Sequence, residues 1–406
     1  MKKIIASILT LTLAFTLFAA LPAFNAKADE AVTINVYNWG QYIGVGDEDT
    51  IDVNAEFTKR TGIKVNYTTY DSNETLLTKL ETGGSSYDII IPSDYMIERL
   101  IKKDMLEKLD FSNIPNYQYV DNLYKEESRS FDPNNEYSVP YTYGTVGIIY
   151  NTKYVTKTVD SWNILWDEDY KDKILTFDNP RDLFAIAEFL LGKDINSTND
   201  ADYEECYNKL LEQKPVVQQY VMDQIFDAMI NESAWIAPYY AGDFVTMHED
   251  NPDLAFCYPK EGFNFFIDAI CIPKGCEHKA EAEAYINFLC DPEISGRNMD
   301  AIGYATPIPE AKEYLSEEFA NSDVVYFDEA TRANSKMFHD LPDATFQLMN
   351  DYWSKLKVGG NVTVDDEGNV TVEGPSYTLY IIIGAAIVAI IAVVVILRAR
   401  KKKLYE

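Results

Sequence analysis

Polar and apolar residues alternate from Thr33 to Val36, the period of a half-buried strand, and Gly40, Gly44 and Gly46 then break the run. This places Trp39 and Tyr42 on the loop leaving the strand. Ile51 to Arg60 is amphipathic and stops at Thr61-Gly62, and Ile63 to Tyr67 alternates again as a second strand. Asp71-Ser72-Asn73-Glu74 offers N-cap chemistry for a helix over Thr75–Leu80. Tyr87 to Pro92 reads as a short buried strand and Met96 to Lys103 as a helix. Strands alternating with helices predict an α/β fold with a mostly parallel sheet. Beyond the turn cluster Phe131–Asn135, strands are predicted over Tyr137–Tyr150, Ala234–Tyr240 and Phe265–Ile272. Helices are predicted over Trp162–Tyr170, Leu183–Leu191, Val221–Asn231 and Ala280–Leu289, and the chain is mainly helical from Pro309 to Lys357.

Two apolar stretches fall outside that pattern. Lys2-Lys3, the apolar run Ile4–Leu21 and Ala26-Lys27-Ala28 make a secretory signal peptide, expected to end at residue 28. Leu379 to Leu397 carries no charge, and with Thr378 it is about as long as a helix crossing a bilayer requires. Arg398, Arg400 and Lys401-Lys402-Lys403 follow it. The expectation is a C-terminal transmembrane helix over 378–397 with a cytoplasmic basic tail, 398–406, holding the body at the outer face of the cell membrane. The near-repeat of Asn361-Val362-Thr363-Val364 at Asn369-Val370-Thr371-Val372 reads as a tether over 358–377, a small hairpin being the alternative.

The 406 residues suffice for two domains and carry a net charge of −30. Such a balance disfavours nucleic acid and favours cationic partners. The five cysteines, at 206, 257, 271, 276 and 290, show no CxxC spacing, and His248, His278 and His339 are scattered, so neither a metal site nor a cofactor is indicated. Cys271 and Cys276 are close enough in sequence to bridge, and buried free thiols are an equal alternative. No GxSxG, HExxH or Walker A motif occurs, and the chain is not expected to be an enzyme.

The motifs YNWGQY (37–42), TGIKV (61–65), SNET (72–75), YDIIIPSDY (87–95), FDPNNEYSVPY (131–141), IGYATP (302–307) and KLKVG (355–359) occur in order. With them the chain resembles the spermidine/putrescine-binding proteins of polyamine ABC transporters. The resemblance implies a two-lobed periplasmic solute-binding fold with a ligand cleft between the lobes. Crossings are implied near Tyr143-Gly144, near Phe266-Ile267 and near residue 312. Lobe one would be 29–143 with 267–312, and lobe two 144–266 with 313–357. The implied function is extracytoplasmic polyamine binding and delivery to a permease, which an ATPase drives. Alternatives are a membrane-tethered polyamine chemosensor and a binding protein for another cationic solute.

A polyamine alternates methylenes with ammonium groups. Each buried ammonium needs a carboxylate, and the methylenes suit aromatic walls. The resemblance implies Trp39, Tyr42, Ser93, Tyr95, Asp182, Tyr240, Phe266, Asp268 and Tyr304 in the cleft. Gly40 stands where a Thr is common, Asn179 beside Asp178 where an Asp is, and His339 where a Gln is; Tyr240 and Phe266 replace Trp. Asp268 also stands out unaided, as a charge inside the apolar run Phe265–Ile270.

Overall fold

The structure, a computed structural model, describes residues 32–47, 50–83, 86–358, 362–364 and 370–372. Its main sheet has ten strands. They are β1 (Thr33–Trp39), β2 (Lys64–Tyr70), β3 (Ile89–Ile90), β4 (Ser138–Asn151), β5 (Ile174–Phe177), β6 (Val217–Val221), β7 (Ile236–Tyr240), β8 (Leu254–Cys257), β9 (Phe263–Cys271) and β10 (Ser335–Lys336). The central order is β2-β1-β3-β9-β4-β7-β5-β6, with β8 beside β4 and β10 beside β9.

β1 pairs in parallel with β2 and β3, as its alternation and the intervening helices require. At the other end of the sheet, β5 pairs in parallel with β6 and β7. The long strands β4 and β9 join these two halves. They run antiparallel, with Tyr143 opposite Ile267 and Gly144 opposite Phe266. Both strands are buried almost throughout, so they read as continuous apolar runs rather than alternating ones. Ala305 bridges to Tyr143 at the same place, its carbonyl accepting from the Tyr143 amide at 3.3 Å.

Helix boundaries follow their caps. Asp52 accepts from the Ala55 amide to open Val53–Thr61, and Gly62 closes that helix at φ 79°. Ser72 caps Asn73–Thr82, and Asn179 caps Pro180–Leu190. Three sequence expectations shift. Trp162–Tyr170 is two short 3₁₀ turns, Trp162–Trp166 and Glu168–Tyr170, each opened by a capping side chain, Ser161 or Asp167. Val221 belongs to β6, because Val217-Gln218-Gln219-Tyr220-Val221 has the β-branched and aromatic content of a strand. The helix there is only Gln224–Ile230. After Pro309 regular helix is sparse until Asp343–Val358.

The fold is mixed α/β, and the transmembrane helix expected as part of it is withdrawn. Among the described residues no helix is long and apolar enough to cross a membrane. The longest, Asp343–Val358, has 16 residues and carries Asp351, Lys355 and Lys357. The segment 378–397, the signal peptide 1–28 and the basic tail 398–406 lie outside the described residues. Within 358–377, Val362–Val364 pairs antiparallel with Val370–Val372. All five cysteines are free thiols, so Cys271 and Cys276 are not bridged.

Candidate functional site

A cleft of about 630 Å³, counted to its open mouth, lies where the two halves of the sheet meet. Eleven of the thirteen residues expected at the site line it: Trp39, Gly40, Tyr42, Ser93, Tyr95, Asn179, Asp182, Tyr240, Phe266, Asp268 and Tyr304. The strands explain their convergence. β1, β3, β6 and β7 all end at the cleft, and Phe266 and Asp268 come from β9 where it passes between the halves.

The walls are aromatic. Trp39 donates its indole hydrogen to the Ile91 carbonyl at 2.9 Å, which fixes the ring without using any group in the cleft. Tyr240 and Phe266 meet edge to face with centroids 5.6 Å apart, and Tyr42 and Tyr304 do so at 4.7 Å. Gly144 makes room for Phe266: a Cβ there would lie 2.6 Å from the ring. Phe338 completes this wall and carries the Arg181 guanidinium 4.3 Å from its centroid.

The floor is acidic. Asp268 is 4 % exposed; its Oδ2 accepts from the Tyr42 hydroxyl at 2.7 Å, while its Oδ1 is buried with no partner. Burial pushes its carboxyl up to about 6, against the pull of the Tyr42 and Ser93 hydrogen bonds. Asp182 lies on the first turn of Pro180–Leu190. Its Oδ2 accepts from Asn179 Nδ2 at 2.6 Å and from the Tyr240 hydroxyl at 2.8 Å, and burial pushes it up to about 7. Asn179 therefore both caps the helix and orients Asp182; its Oδ1 accepts from the Arg181 amide. Among the described residues no ion pair involves Asp182, Asp243 or Asp268, and no Lys or Arg lines the cleft. Buried carboxylates without cations favour a cation supplied from outside.

Two expected residues lie elsewhere. Asp178 pairs with Lys357 outside the cleft. The half-exposed His339 turns its ring toward Glu98, 3.5 Å away, and its carbonyl accepts from Arg181. Its neighbour Phe338 takes the place in the wall.

Sequence reasoning missed Asp71, Asp223 and Asp243, which also line the cleft. Asp243 lies in the first turn of the helix Ala241–Asp250, is held by a Tyr304 hydrogen bond, and is pushed well up by burial. Its signal was an acid three residues after Tyr240. Asp71 follows β2, where it reads as part of a capping run. Asp223 sits in the turn between β6 and Gln224–Ile230, a turn hidden by the expected helix over 221–231. Among the described residues no cluster suits a metal ion.

Comparison with known proteins adds the lineage. Residues 53–325 match the model of the bacterial extracellular solute-binding protein family. The spermidine/putrescine-binding periplasmic protein of Salmonella typhimurium is 34% identical over 342 residues, 84% of this chain and 96% of that one. A putrescine-binding periplasmic protein of Pseudomonas aeruginosa is 31% identical over 364 residues, 86% of this chain and 97% of that one. Among solved structures, one from Listeria monocytogenes superposes with a TM-score of 0.76 at 35% identity, covering 80% of this chain and 99% of that chain. The Streptococcus pneumoniae spermidine/putrescine ABC transporter substrate-binding protein does so at 0.67 and 34%, with the same coverage.

Proposed function

This chain belongs to the bacterial extracellular solute-binding proteins, and we propose that it binds spermidine or putrescine outside the cytoplasm and delivers it to an ABC permease. The observation that carries the proposal is the pair of buried carboxylates, Asp182 and Asp268, without cationic partners and among aromatic rings. One ammonium pairs with Asp268 through its unpartnered Oδ1. A second pairs with Asp182, and the intervening methylenes lie against Trp39, Tyr240, Phe266 and Tyr304. Tyr42 and Ser93 hold Asp268, Asn179 and Tyr240 hold Asp182, and Tyr95, whose hydroxyl donates to Glu74, lines the cleft beside them.

The halves of the sheet act as lobes. β4 and β9 are the connections, and bending near Tyr143-Gly144 and Phe266-Ile267 opens and closes the cleft, as in other hinged binding proteins. A closed cleft removes the ligand charges from water, which strengthens each ion pair. Delivery then follows from opening against the permease.

Calorimetric titration with putrescine, spermidine, an amino acid and an inorganic anion tests this. Saturable binding of the two polyamines alone is expected. Preference for the anion or the amino acid overturns it.

A further inference from the structure

The mouth of the cleft holds two carboxylates from opposite halves of the sheet. Asp71 leaves the end of β2, and Asp223 occupies the turn after β6. Among the described residues neither has an ion pair or a side-chain hydrogen bond. Both line the same cleft, and the Asp71 charge adds to burial in raising the Asp223 carboxyl. Asp223 is fitted to its neighbour on the first half. Its Oδ2 occupies the space over Gly40, 2.1 Å from where a Cβ would stand. Any side chain at position 40 would displace that carboxylate. The glycine and the acid are a matched pair across the gap between the halves.

Two like charges brought together by closing lobes repel, and closure is then opposed unless a cation lies between them. The deeper floor already accounts for two ammonium groups, at Asp182 and at the unpartnered buried Oδ1 of Asp268, while Asp243 is held by Tyr304 and pushed by burial well up toward its neutral form. A diamine has no further charge to offer the mouth. A triamine does.

We propose that Asp71 and Asp223, with Gly40 leaving room for them, form a third cation station that selects triamines over diamines. This rests on the polyamine reading above and names the ligand class within it. The station acts mainly on the closed state, where its two acids come together around the ligand's outer ammonium.

The test is calorimetric titration of the purified full chain with putrescine and with spermidine. Wild type should bind spermidine more tightly. Asp223→Asn and Asp71→Asn should each weaken spermidine about fivefold, as expected for charges at a partly solvated rim, and leave putrescine unchanged or up to about twofold tighter, since losing one acid relieves the repulsion that opposes closure. Gly40→Ala should act like Asp223→Asn, because the new methyl pushes away a flexible carboxylate rather than backbone. An unchanged spermidine-to-putrescine ratio in the double variant Asp71→Asn/Asp223→Asn overturns the station while leaving polyamine binding intact. Equal weakening of both ligands overturns it too. Failure of wild type to bind either polyamine overturns the underlying reading and the station together.

Discussion

Tyr42 donates its hydroxyl hydrogen to Oδ2 of Asp268, 226 positions later in the chain, at 2.7 Å, and leaves Oδ1 of that carboxylate buried and unpartnered. Tyr42 is in turn held by Thr142, and its carbonyl accepts from the Tyr141 hydroxyl at 2.8 Å. Tyr141 accepts from Asn298 at 2.7 Å, and Asn298 accepts from the Gly44 amide. The carboxylate is thus built on a buried polar network rather than on a cation.

Asp268→Asn removes the charge and keeps the size. Losing one partner of a buried charge pair costs about 2–5 kcal/mol, so spermidine affinity should fall at least about thirtyfold. The ligand-free protein should melt at the same temperature or higher, since an uncompensated buried carboxylate is gone. A lower ligand-free Tm with nearly unchanged affinity contradicts the assignment. Parallel thermal melts and titrations decide it.

Affinity should depend on pH across the weakly acidic range. Burial holds Asp182 at about 7 and Asp268 at about 6, above ordinary carboxylates. Below those values the folded groups keep protons that the unfolded chain has released. Their contribution to ligand-free stability is therefore fully present below about pH 4 and is lost as pH rises through 6 to 7. An ammonium pairs with the ionised form, so affinity rises over the same window. The increase in Tm on adding spermidine should grow from pH 5 to pH 8, and Asp182→Asn should flatten that growth. A ligand-induced Tm increase that shrinks with rising pH contradicts this.

Asn179→Ala should separate capping from binding. Loss of the cap costs about 1 kcal/mol of stability. Loss of the 2.6 Å hydrogen bond also frees Asp182 to turn, so affinity should fall several-fold. Asn179→Ser keeps a cap but not the reach to Asp182. It should recover most of the Tm and little of the affinity, which melts and titrations of the two variants will show.

His339→Ala should leave polyamine affinity within about twofold, because the ring faces Glu98 and solvent. Phe338→Ala should weaken it, because that ring lines the cleft and lies against Arg181. The opposite order in a titration series would return position 339 to the site.

The first half of the fold was legible because β1 and β2 alternate cleanly and the helices there carry their caps in sequence, as Asp52 and Ser72 do. Asp268 was legible as a charge in an apolar strand. Asp223 was not: Val221, at the end of β6, Met222 and the apolar residues of Gln224–Ile230 read as one helical pattern, so the turn that presents the acid was invisible. Phe338 and His339 differ by one position in a segment of irregular backbone, where side-chain direction has no period to read. The role of Asn179 emerged only with its partners, since the same residue type serves as cap and as hydrogen-bond donor.

A crystal structure of the protein with spermidine bound tests the central claim most directly. Ammonium nitrogens should lie about 2.7–2.9 Å from carboxylate oxygens of both Asp182 and Asp268, with the methylenes against Trp39, Tyr240 and Phe266. A ligand seated away from both carboxylates, or held there by its carbon chain alone, would contradict the account.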